Sequence, residues 1–274
     1  MIYKSYSDIA RDVADWCSQL PRFAGVCGVP RAGCLIAYMI SAHTNCQLIS
    51  WNDLLLRQET WKQPRRRNCP GSDGRILVVD DTCATGGHMR QVKQQLAGSP
   101  YDIRYGAYMV MTQGKGEVDY FHQDVGNTDH LFEFNVLHHW YTERMFCDLD
   151  GVLSEDWRHQ SETGDLAEEY NNHLLNGRCL VRPTFPLQAI VTGRLECHRD
   201  ATEAWLARQG IRYGKLIMYP ANNVQERQDV AGWKGQIYRD SGAVLFVESC
   251  PVQSGRIRQV SGRCVLDWTG QRLA

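Results

Sequence analysis

Two adjacent carboxylates follow a run of apolar residues in the segment RILVVDDTCATGGHM, residues 75–89. Asp80 and Asp81 stand where a buried strand is predicted to end, and the Thr- and Gly-rich residues 82–87 follow at once. The hydroxyls and open backbone amides of such a turn can bind a phosphate, whereas the carboxylates need neutral hydroxyl groups or a cation to face. The segment therefore predicts a ligand that carries both a sugar diol and a phosphate. A strand end capped by acids in an Asx turn is the structural alternative.

A second strand that runs into acids is predicted in MFCDLDGVL, residues 145–153. Side chains two residues apart in an extended segment point to the same side, so Asp148 and Asp150 can face one phosphoryl group. The Asp-x-Asp-Gly pattern also occurs in calcium-binding loops, which is the alternative interpretation.

Composition limits the class of protein. The 274 residues are 43% hydrophobic and 22% charged, as in an ordinary globular chain of one large or two small domains. A formal net charge of -1 argues against sequence-blind nucleic-acid binding, and neither a spanning apolar run nor a secretory signal is present. The 11 cysteines are scattered without a C-x-x-C pair, which favours reduced thiols. We therefore expect a cytoplasmic protein with no nucleic-acid or membrane partner.

The elements that must position these residues form two series. The first comprises a helix over 6–20, strands over 23–29, 46–51, 75–81 and 101–111, and helices over 35–44 and 87–98. The second comprises strands over 144–152, 187–194, 215–219 and 242–249 and a helix over 201–210. Such alternation predicts βαβ units, and hence an α/β fold with two doubly wound, mostly parallel sheets. We expect the domain boundary between residues 143 and 144.

The first segment resembles the 5-phosphoribosyl-1-pyrophosphate (PRPP) motif of type I phosphoribosyltransferases. This resemblance implies a phosphoribosyltransferase-like domain over residues 1–143, with two acids on the ribose hydroxyls and residues 82–87 around the 5-phosphate. The segment GVPRAG, residues 28–33, is similar to the pyrophosphate loop of that family, although a Gly/Pro turn before a helix is common. The implied PRPP-binding residues are Pro30, Arg31, Ala32, Gly33, Asp80, Asp81, Thr82, Ala84, Thr85, Gly86 and Gly87. His88 stands where the family usually has Thr or Ser.

Two further parts of a transferase site are expected on the same resemblance. The polar residues 52–74 stand where the family has a mobile loop, and Lys62 and the arginines 65–67 could neutralise pyrophosphate there; a solvated basic loop is the alternative. For the base pocket, Phe132, Phe134 and Trp140 are candidates for stacking, with an aromatic core as the alternative.

The second segment looks like motif I of the haloacid dehalogenase (HAD) superfamily, and the resemblance extends over residues 144–267. It implies that Asp148 is a nucleophile forming an aspartyl-phosphate and that Asp150 is the general acid/base. Thr192, at the end of a strand, would bind the phosphoryl oxygen, and Lys234 would be the cation, with Lys215 as its competitor. Mg²⁺ would be held by Asp148, Glu248 and the backbone carbonyl of Asp150, with Ser249 where a second acid often stands.

About 40 residues separate motif I from the next HAD motif, which leaves room for a small cap only. Selectivity is expected from this region, and the sequence does not choose among its four candidates. They are Arg158, Glu168, Tyr170 and Arg182.

The whole chain is similar to fused phosphoribosyltransferase–HAD proteins of bacteria and phages. The resemblance implies a bifunctional enzyme that joins phosphoribose from PRPP to a base, or releases it from a nucleotide, and dephosphorylates the phosphoribosylated product with Mg²⁺. Two alternatives stay open. In one, only the HAD-like half turns over and the first half selects the substrate; in the other, the chain is a PRPP or nucleotide sensor with idle sites. The base and the oligomeric state stay open too, a homo-oligomer being compatible with the sequence.

Overall fold

The chain forms two compact units. The computed structural model describes residues 1–57, 74–157, 166–221 and 223–274. The N-terminal unit is Tyr6–Asp129 with Ile2, and the C-terminal unit is His130–Ala274 with Met1 and Tyr3–Ser5. The division lies 14 residues before the boundary expected at 143/144, because Leu131, Val136 and Tyr141 are buried in the core of the C-terminal unit. No helix in the described ranges is long and apolar enough to cross a membrane.

The elements up to residue 126 are β1 (Ile2–Lys4), α1 (Tyr6–Gln19), β2 (Gly25–Gly28), α2 (Gly33–Thr44), β3 (Gln47–Ile49), α3 (Trp51–Leu55), β4 (Ile76–Cys83), α4 (Gly87–Gln95), β5 (Ile103–Met111) and β6 (Tyr120–Gly126). Helix α1 forms because Ile9, Val13 and Trp16 share one face at helical spacing, and that face is buried. Strand β4 begins with four buried apolar residues, as expected for a parallel strand covered on both faces.

The sheet of the N-terminal unit has the strand order β3-β2-β4-β5-β6 within the described residues, and each neighbouring pair is parallel. From β2 the chain winds outward to β3, and from β4 it winds the opposite way to β5 and β6. The order therefore reverses between β2 and β4. In open α/β sheets, ligands bind at such a switch point, outside the carboxyl ends of the strands.

The remaining elements are β7 (His130–Phe132), β8 (Met145–Cys147), α5 (Ala167–Asn176), β9 (Leu187–Leu195), α6 (Arg199–Gln209), β10 (Tyr213–Tyr219), α7 (Val230–Arg239), β11 (Leu245–Glu248), α8 (Pro251–Ser261), β12 (Val265–Asp267) and β13 (Arg272–Leu273). β7 pairs with β1. The larger sheet has the order β10-β9-β8-β11-β12-β13 in the described residues, and only the β12–β13 pair is antiparallel. Its order reverses between β8 and β11, which makes their carboxyl ends a second switch point.

The predicted α/β class with parallel sheets is confirmed, and several predicted ends were wrong. The strand expected over 144–152 is only Met145–Cys147, because a turn begins at Leu149, whose carbonyl accepts the backbone N–H of Leu153. The strand expected over 187–194 extends by one residue to Leu195, because Leu195 still pairs with Tyr219 of β10.

Candidate active sites

Asp80 and Asp81 lie at the switch point of the N-terminal unit. They stand within the last half of β4, which continues to Cys83. Asp80 is buried, and its Oδ1 accepts a hydrogen bond from the backbone N–H of Asp81 at 2.9 Å. Helix α2 starts directly beside this strand end: a Cβ on Gly33 would lie 2.6 Å from the carbonyl oxygen of Val79 and 3.1 Å from Asp80 Oδ1. Glycine is therefore required for the close approach of α2 to β4.

The two carboxyl groups do not ionise independently. Burial raises the pKa of Asp81 to about 7, and the charge of Asp80 and a hydrogen bond between the two side chains add to the rise. Burial also raises the pKa of Asp80, against the lowering effect of hydrogen bonds from Asp81. Like charges this close share a proton near neutrality. Hydroxyl groups of a ligand would supply the donors that this pair lacks in its ionised form.

His88 contacts one of these acids. Its Nδ1 lies 3.3 Å from Asp80 Oδ2, and its side chain is 60% exposed. The residue that stands in place of the usual Thr or Ser thus faces Asp80 at the mouth of the site.

The turn after β4 leads directly into the N-terminus of α4. Gly86, at a φ of +76°, precedes α4, and Gly87 donates its backbone N–H to Thr85 Oγ1 at 3.4 Å. The first-turn amides of a helix have no acceptor within the helix itself, so they are open to a ligand. The turn is packed against residues 114–117: a Cβ on Gly86 would meet Glu117 Cγ at 2.5 Å. Glu117 in turn binds Arg90 at 2.7 Å, which ties α4 to this support.

The segment 28–33 follows β2, the strand beside β4, so the structure brings both PRPP-motif segments to one sheet edge. Val29 donates its backbone N–H to the carbonyl of Val79 at 2.9 Å. Pro30 and Arg31 are exposed and joined by a cis peptide bond, and Ala32 is half-buried.

The outcome differs for the two other predicted parts of this site. Lys62 and the arginines 65–67 fall outside the described residues, and the first residues of the predicted loop form α3. The proposed stacking residues belong to the C-terminal unit. There Phe132 is buried and stacks on Phe134 at 5.0 Å between ring centroids, while Trp140 is half-exposed. Phe132 is thus a core residue.

The C-terminal unit has a buried charge cluster at its own switch point. Lys234 Nζ lies 2.9 Å from Asp148 Oδ1, after β8, and 2.8 Å from Glu248 Oε2, at the end of β11. The three side chains are at most 8% exposed. Helix α7 delivers Lys234, and the next residue, Gly235, allows close packing of α7 on α8, since its Cβ would lie 2.8 Å from Val260 Cβ. The competing cation, Lys215, is exposed on β10.

One cation does not balance two carboxylates. Burial, followed by the charge of Glu248, raises the pKa of Asp148 well above its ordinary value, although Lys234 opposes the shift. Burial would lower the pKa of Lys234, but the charges of Asp148 and Glu248 raise it, so the ammonium stays charged. A further cation at this point would favour the ionised, nucleophilic form of Asp148.

Asp150 has a different environment from Asp148. Its carboxylate accepts hydrogen bonds from Arg194 Nε at 2.9 Å and Nη2 at 2.5 Å, and Arg194 is 2% exposed. His173 Nε2 lies 3.8 Å away from Asp150 Oδ1. Although burial acts to raise the pKa of Asp150, the charge of Arg194 and the interactions with His173 lower it. Asp150 is therefore held in its ionised form.

Arg194 and His173 were missed by the sequence analysis. A signal for Arg194 was present, because residues 192 and 194 of one strand point to the same face. Thr192 is buried, and its Oγ1 accepts the backbone N–H of Arg194 at 3.2 Å. His173 gave no signal, since its place depends on how α5 packs.

Mg²⁺ fits the donors only together with a substrate. No three His, Cys, Asp or Glu side chains in the described ranges converge as a metal-binding group. Arg194 occupies the Asp150 carboxylate, while the Asp150 carbonyl accepts the Ser249 hydroxyl at 2.9 Å. The donors that remain are the carboxylates of Asp148 and Glu248 and the second lone pair of the Asp150 carbonyl oxygen. Mg²⁺ commonly takes one or two carboxylates and completes its shell with water and substrate phosphate oxygens, and the excess negative charge here suits it.

The candidates for selectivity have different surroundings. Tyr170 is buried and packs edge-on against Trp157, at 5.2 Å between ring centroids. Arg182 donates to Gln209 at 2.9 Å, and Glu168 lies on the first turn of α5. Arg158 falls outside the described residues.

No protein-family model matches the sequence, and no curated protein matches it. Solved structures do. A purine phosphoribosyltransferase from Pyrococcus horikoshii is 17% identical, with 48% of this chain and 91% of that chain covered at a TM-score of 0.34. A xanthine-guanine-hypoxanthine phosphoribosyltransferase from Helicobacter pylori is 18% identical, with 49% and 92% covered at 0.37. A hypothetical protein from Neisseria gonorrhoeae with bound ppGpp is 14% identical, with 50% and 89% covered at 0.39. At these identities and TM-scores the similarities carry no argument about function. The two candidate sites therefore rest on this chain's own residues.

Proposed function

We propose that the chain is a bifunctional enzyme. In this proposal the N-terminal unit transfers phosphoribose from PRPP to a base, and the C-terminal unit removes the 5-phosphate from the product with Mg²⁺. The observation that carries the proposal is the buried cluster of Asp148, Lys234 and Glu248 at the switch point of its sheet. Acids and a phosphate-binding turn at the other switch point support the transferase half.

The transferase site would act by binding and charge neutralisation. The ribose hydroxyls would donate hydrogen bonds to Asp80 and Asp81, and the 5-phosphate would accept hydrogen bonds from the backbone amides of residues 84–87. Pyrophosphate would face Arg31 as the bond from the anomeric carbon to its oxygen breaks. The base nitrogen forms the new bond to that carbon, and the base releases a proton to solvent. A transition state of this kind needs compensation of the departing charge and exclusion of water rather than a covalent nucleophile.

The phosphatase site would act in two displacements. An Asp148 oxygen attacks phosphorus, the bond to the nucleoside oxygen breaks, and that oxygen takes a proton from solvent. Water then attacks the aspartyl-phosphate, Asp150 accepts its proton and passes it on to solvent, and the bond to Asp148 breaks to release phosphate. Thr192 would donate to a phosphoryl oxygen, and Lys234 orients Asp148. When bound by Asp148, Glu248 and the Asp150 carbonyl, Mg²⁺ supplies charge neutralisation at the phosphoryl oxygens.

His88 favours a second candidate function for the N-terminal unit. Its contact with Asp80 at 3.3 Å engages a carboxylate that the ribose would need. In that case the unit binds a phosphoribosylated ligand without turnover, and only the phosphatase acts. If both sites are idle, the chain is a sensor of such ligands.

The phosphatase half is tested with Asp148→Asn. Wild-type protein with Mg²⁺ should release phosphate from a nucleoside 5'-monophosphate, and the variant should be slower by at least about a thousandfold, since it loses the nucleophile. Intact mass spectrometry of quenched wild-type protein should detect one added phosphoryl group that the variant lacks.

The control variant is Asp240→Asn, which changes an exposed acid directly after α7 that pairs with the exposed Arg239. It should keep the wild-type rate. Phosphate release that persists in Asp148→Asn would contradict the proposed nucleophile.

A further inference from the structure

A cavity of about 530 Å³ opens beside helix α5 of the C-terminal unit. Its walls include the indole of Trp157 and, from α5, Glu168, Glu169, Asn172 and Asn176. The volume lies within the roughly 300–1,000 Å³ of small-molecule sites. The cavity is thus large enough for a ligand of nucleoside size.

One wall of the cavity reaches the phosphatase site. His173 lines the cavity, and its Nε2 lies 3.8 Å from Asp150 Oδ1. Its side chain is only 9% exposed, and in the described part of the chain Nε2 makes no hydrogen bond. A leaving group that departs from phosphorus beside Asp150 would therefore lie next to this opening.

The chemistry of the lining selects by charge and by hydrogen bonding. Glu168 and Glu169 contribute carboxylates from α5, two asparagines contribute amides, and neither Lys nor Arg is among the described lining residues. The third acid, Glu155, already accepts the backbone N–H of Arg178 at 2.8 Å. Ionised carboxylates only accept hydrogen bonds, so they favour N–H donors and repel anions. An indole offers a flat face on which a base can stack.

We propose that this cavity binds the base of a nucleoside 5'-monophosphate and selects bases that carry amino groups. Adenine, cytosine and guanine meet this requirement. Uracil offers its ring N3–H but no amino group, and orotate adds a carboxylate that Glu168 and Glu169 would repel. The proposal rests on the proposed phosphatase function of the same unit, and it names the class of leaving group that the reaction accepts.

Binding of nucleosides without phosphate tests the cavity apart from catalysis. Adenosine should bind the full-length protein at least about tenfold more tightly than uridine in calorimetric titrations, because a lost hydrogen bond to a charged group is worth about that factor. Orotidine should bind more weakly than uridine. Trp157→Ala should weaken adenosine binding about tenfold through lost stacking.

The carboxylates are tested by the double variant Glu168→Gln, Glu169→Gln, whose two residues are exposed on α5. It should reduce the preference for adenosine over uridine about tenfold, to near parity. The control is Glu143→Gln, Asp240→Asn, which removes two exposed carboxylates outside the cavity and should leave the preference unchanged. Equal binding of adenosine and uridine by wild-type protein would overturn the proposal, as would a full preference in the Glu168/Glu169 variant.

A parallel assay with p-nitrophenyl phosphate separates this proposal from the function on which it rests. Hydrolysis of that ester without nucleoside selectivity would overturn the proposed role of the cavity and leave the phosphatase standing. Selective nucleoside binding without hydrolysis of any ester would support the cavity as a base site and contradict the phosphatase.

Discussion

At the scale of single residues, each site contains a carboxyl group whose pKa is raised by burial and by a second acid. In the N-terminal unit this is Asp81, beside Asp80, with a pKa of about 7. In the C-terminal unit it is Asp148, beside Glu248 and Lys234. Buried neighbouring carboxylates lower the stability of the free protein. A ligand that supplies hydrogen-bond donors or positive charge offsets this cost. Such carboxylates are therefore expected where a ligand binds.

Asp81 gives a prediction with a defined pH window. A carboxyl whose folded pKa is raised binds a proton more tightly when folded, so its stabilising contribution is lost as the pH rises from about 4 to about 7. Above pH 7 the buried charge persists, and Asp81→Asn should then be more stable than the wild type. Thermal unfolding at pH 5 and pH 8 measures this difference. Asp102→Asn, which removes an exposed acid of the same unit, should show no such crossover.

The same ionisation should govern ligand affinity. Only the ionised carboxylate is a pure acceptor for ribose hydroxyls. PRPP should therefore bind about tenfold more tightly at pH 8 than at pH 6, as the ionised fraction of a group with a pKa near 7 rises by about that factor. Asp81→Asn should lose this tenfold increase in PRPP affinity, and it should keep any pH dependence of the affinity that comes from titration of the 5-phosphate. A wild-type affinity that is flat across this range would contradict the assigned role of Asp81.

At the scale of elements, the approach of α2 to β4 determines the geometry of the first site. Gly33 of α2 lies directly against Val79 and Asp80. This contact holds the segment 28–33 beside the acids, since the segment joins β2 to α2. A change in helix position would move both PRPP-motif segments relative to each other.

Gly33→Ala tests this contact. Its Cβ would lie 2.6 Å from a backbone carbonyl that cannot turn away, so α2 must shift. We expect a loss of about 1–3 kcal/mol in the free energy of unfolding, as for other overpacked sites, and weaker binding of ribose 5-phosphate by calorimetry. Gly116→Ala, with no heavy atom within 4 Å of its Cβ, should change stability by less than about 0.5 kcal/mol. Equal behaviour of the two variants would contradict the tight contact.

The elements also show what the sequence could predict. Apolar runs such as residues 76–79 are a local property, and the strands they form were predicted along with the acids at their ends. Strand β6 was missed because most of its residues are only half-buried and give no apolar pattern. Helix α8, PVQSGRIRQVS, was missed because its buried face is made of Ser254, Ile257 and Ser261 rather than of large apolar residues. The shared strand face of Thr192 and Arg194 was readable from the sequence, but the contact of Arg194 with Asp150 depends on the pairing of β9 with β8.

At the scale of the whole molecule, two sheets each place acids at the point where their strand order reverses. The sequence predicted the two α/β series, because alternation of strands and helices needs no knowledge of packing. It misplaced the division between the units by 14 residues, since residues 130–143 contribute Leu131, Val136 and Tyr141 to the second core. Nothing in their local pattern distinguishes a residue of one core from a residue of the other.

Two sites on two units predict two separable activities. Asp80→Asn should abolish pyrophosphate release while sparing the hydrolysis of nucleoside 5'-monophosphates, and Asp148→Asn should have the opposite effect. Asp80 and Asp81 belong to the N-terminal unit, whereas Asp148, Lys234 and Glu248 belong to the C-terminal unit.

The most direct test uses phosphorus NMR to follow the release of pyrophosphate and phosphate by the full-length protein with Mg²⁺, PRPP and a panel of free bases. Pyrophosphate should appear only when a suitable base is present. Inorganic phosphate should follow in the wild type and should not be released by Asp148→Asn. Base-dependent pyrophosphate without later phosphate in the wild type would contradict the coupled phosphatase. Phosphate release from added nucleotides without base-dependent pyrophosphate would contradict the transferase and leave the N-terminal unit as a binding domain.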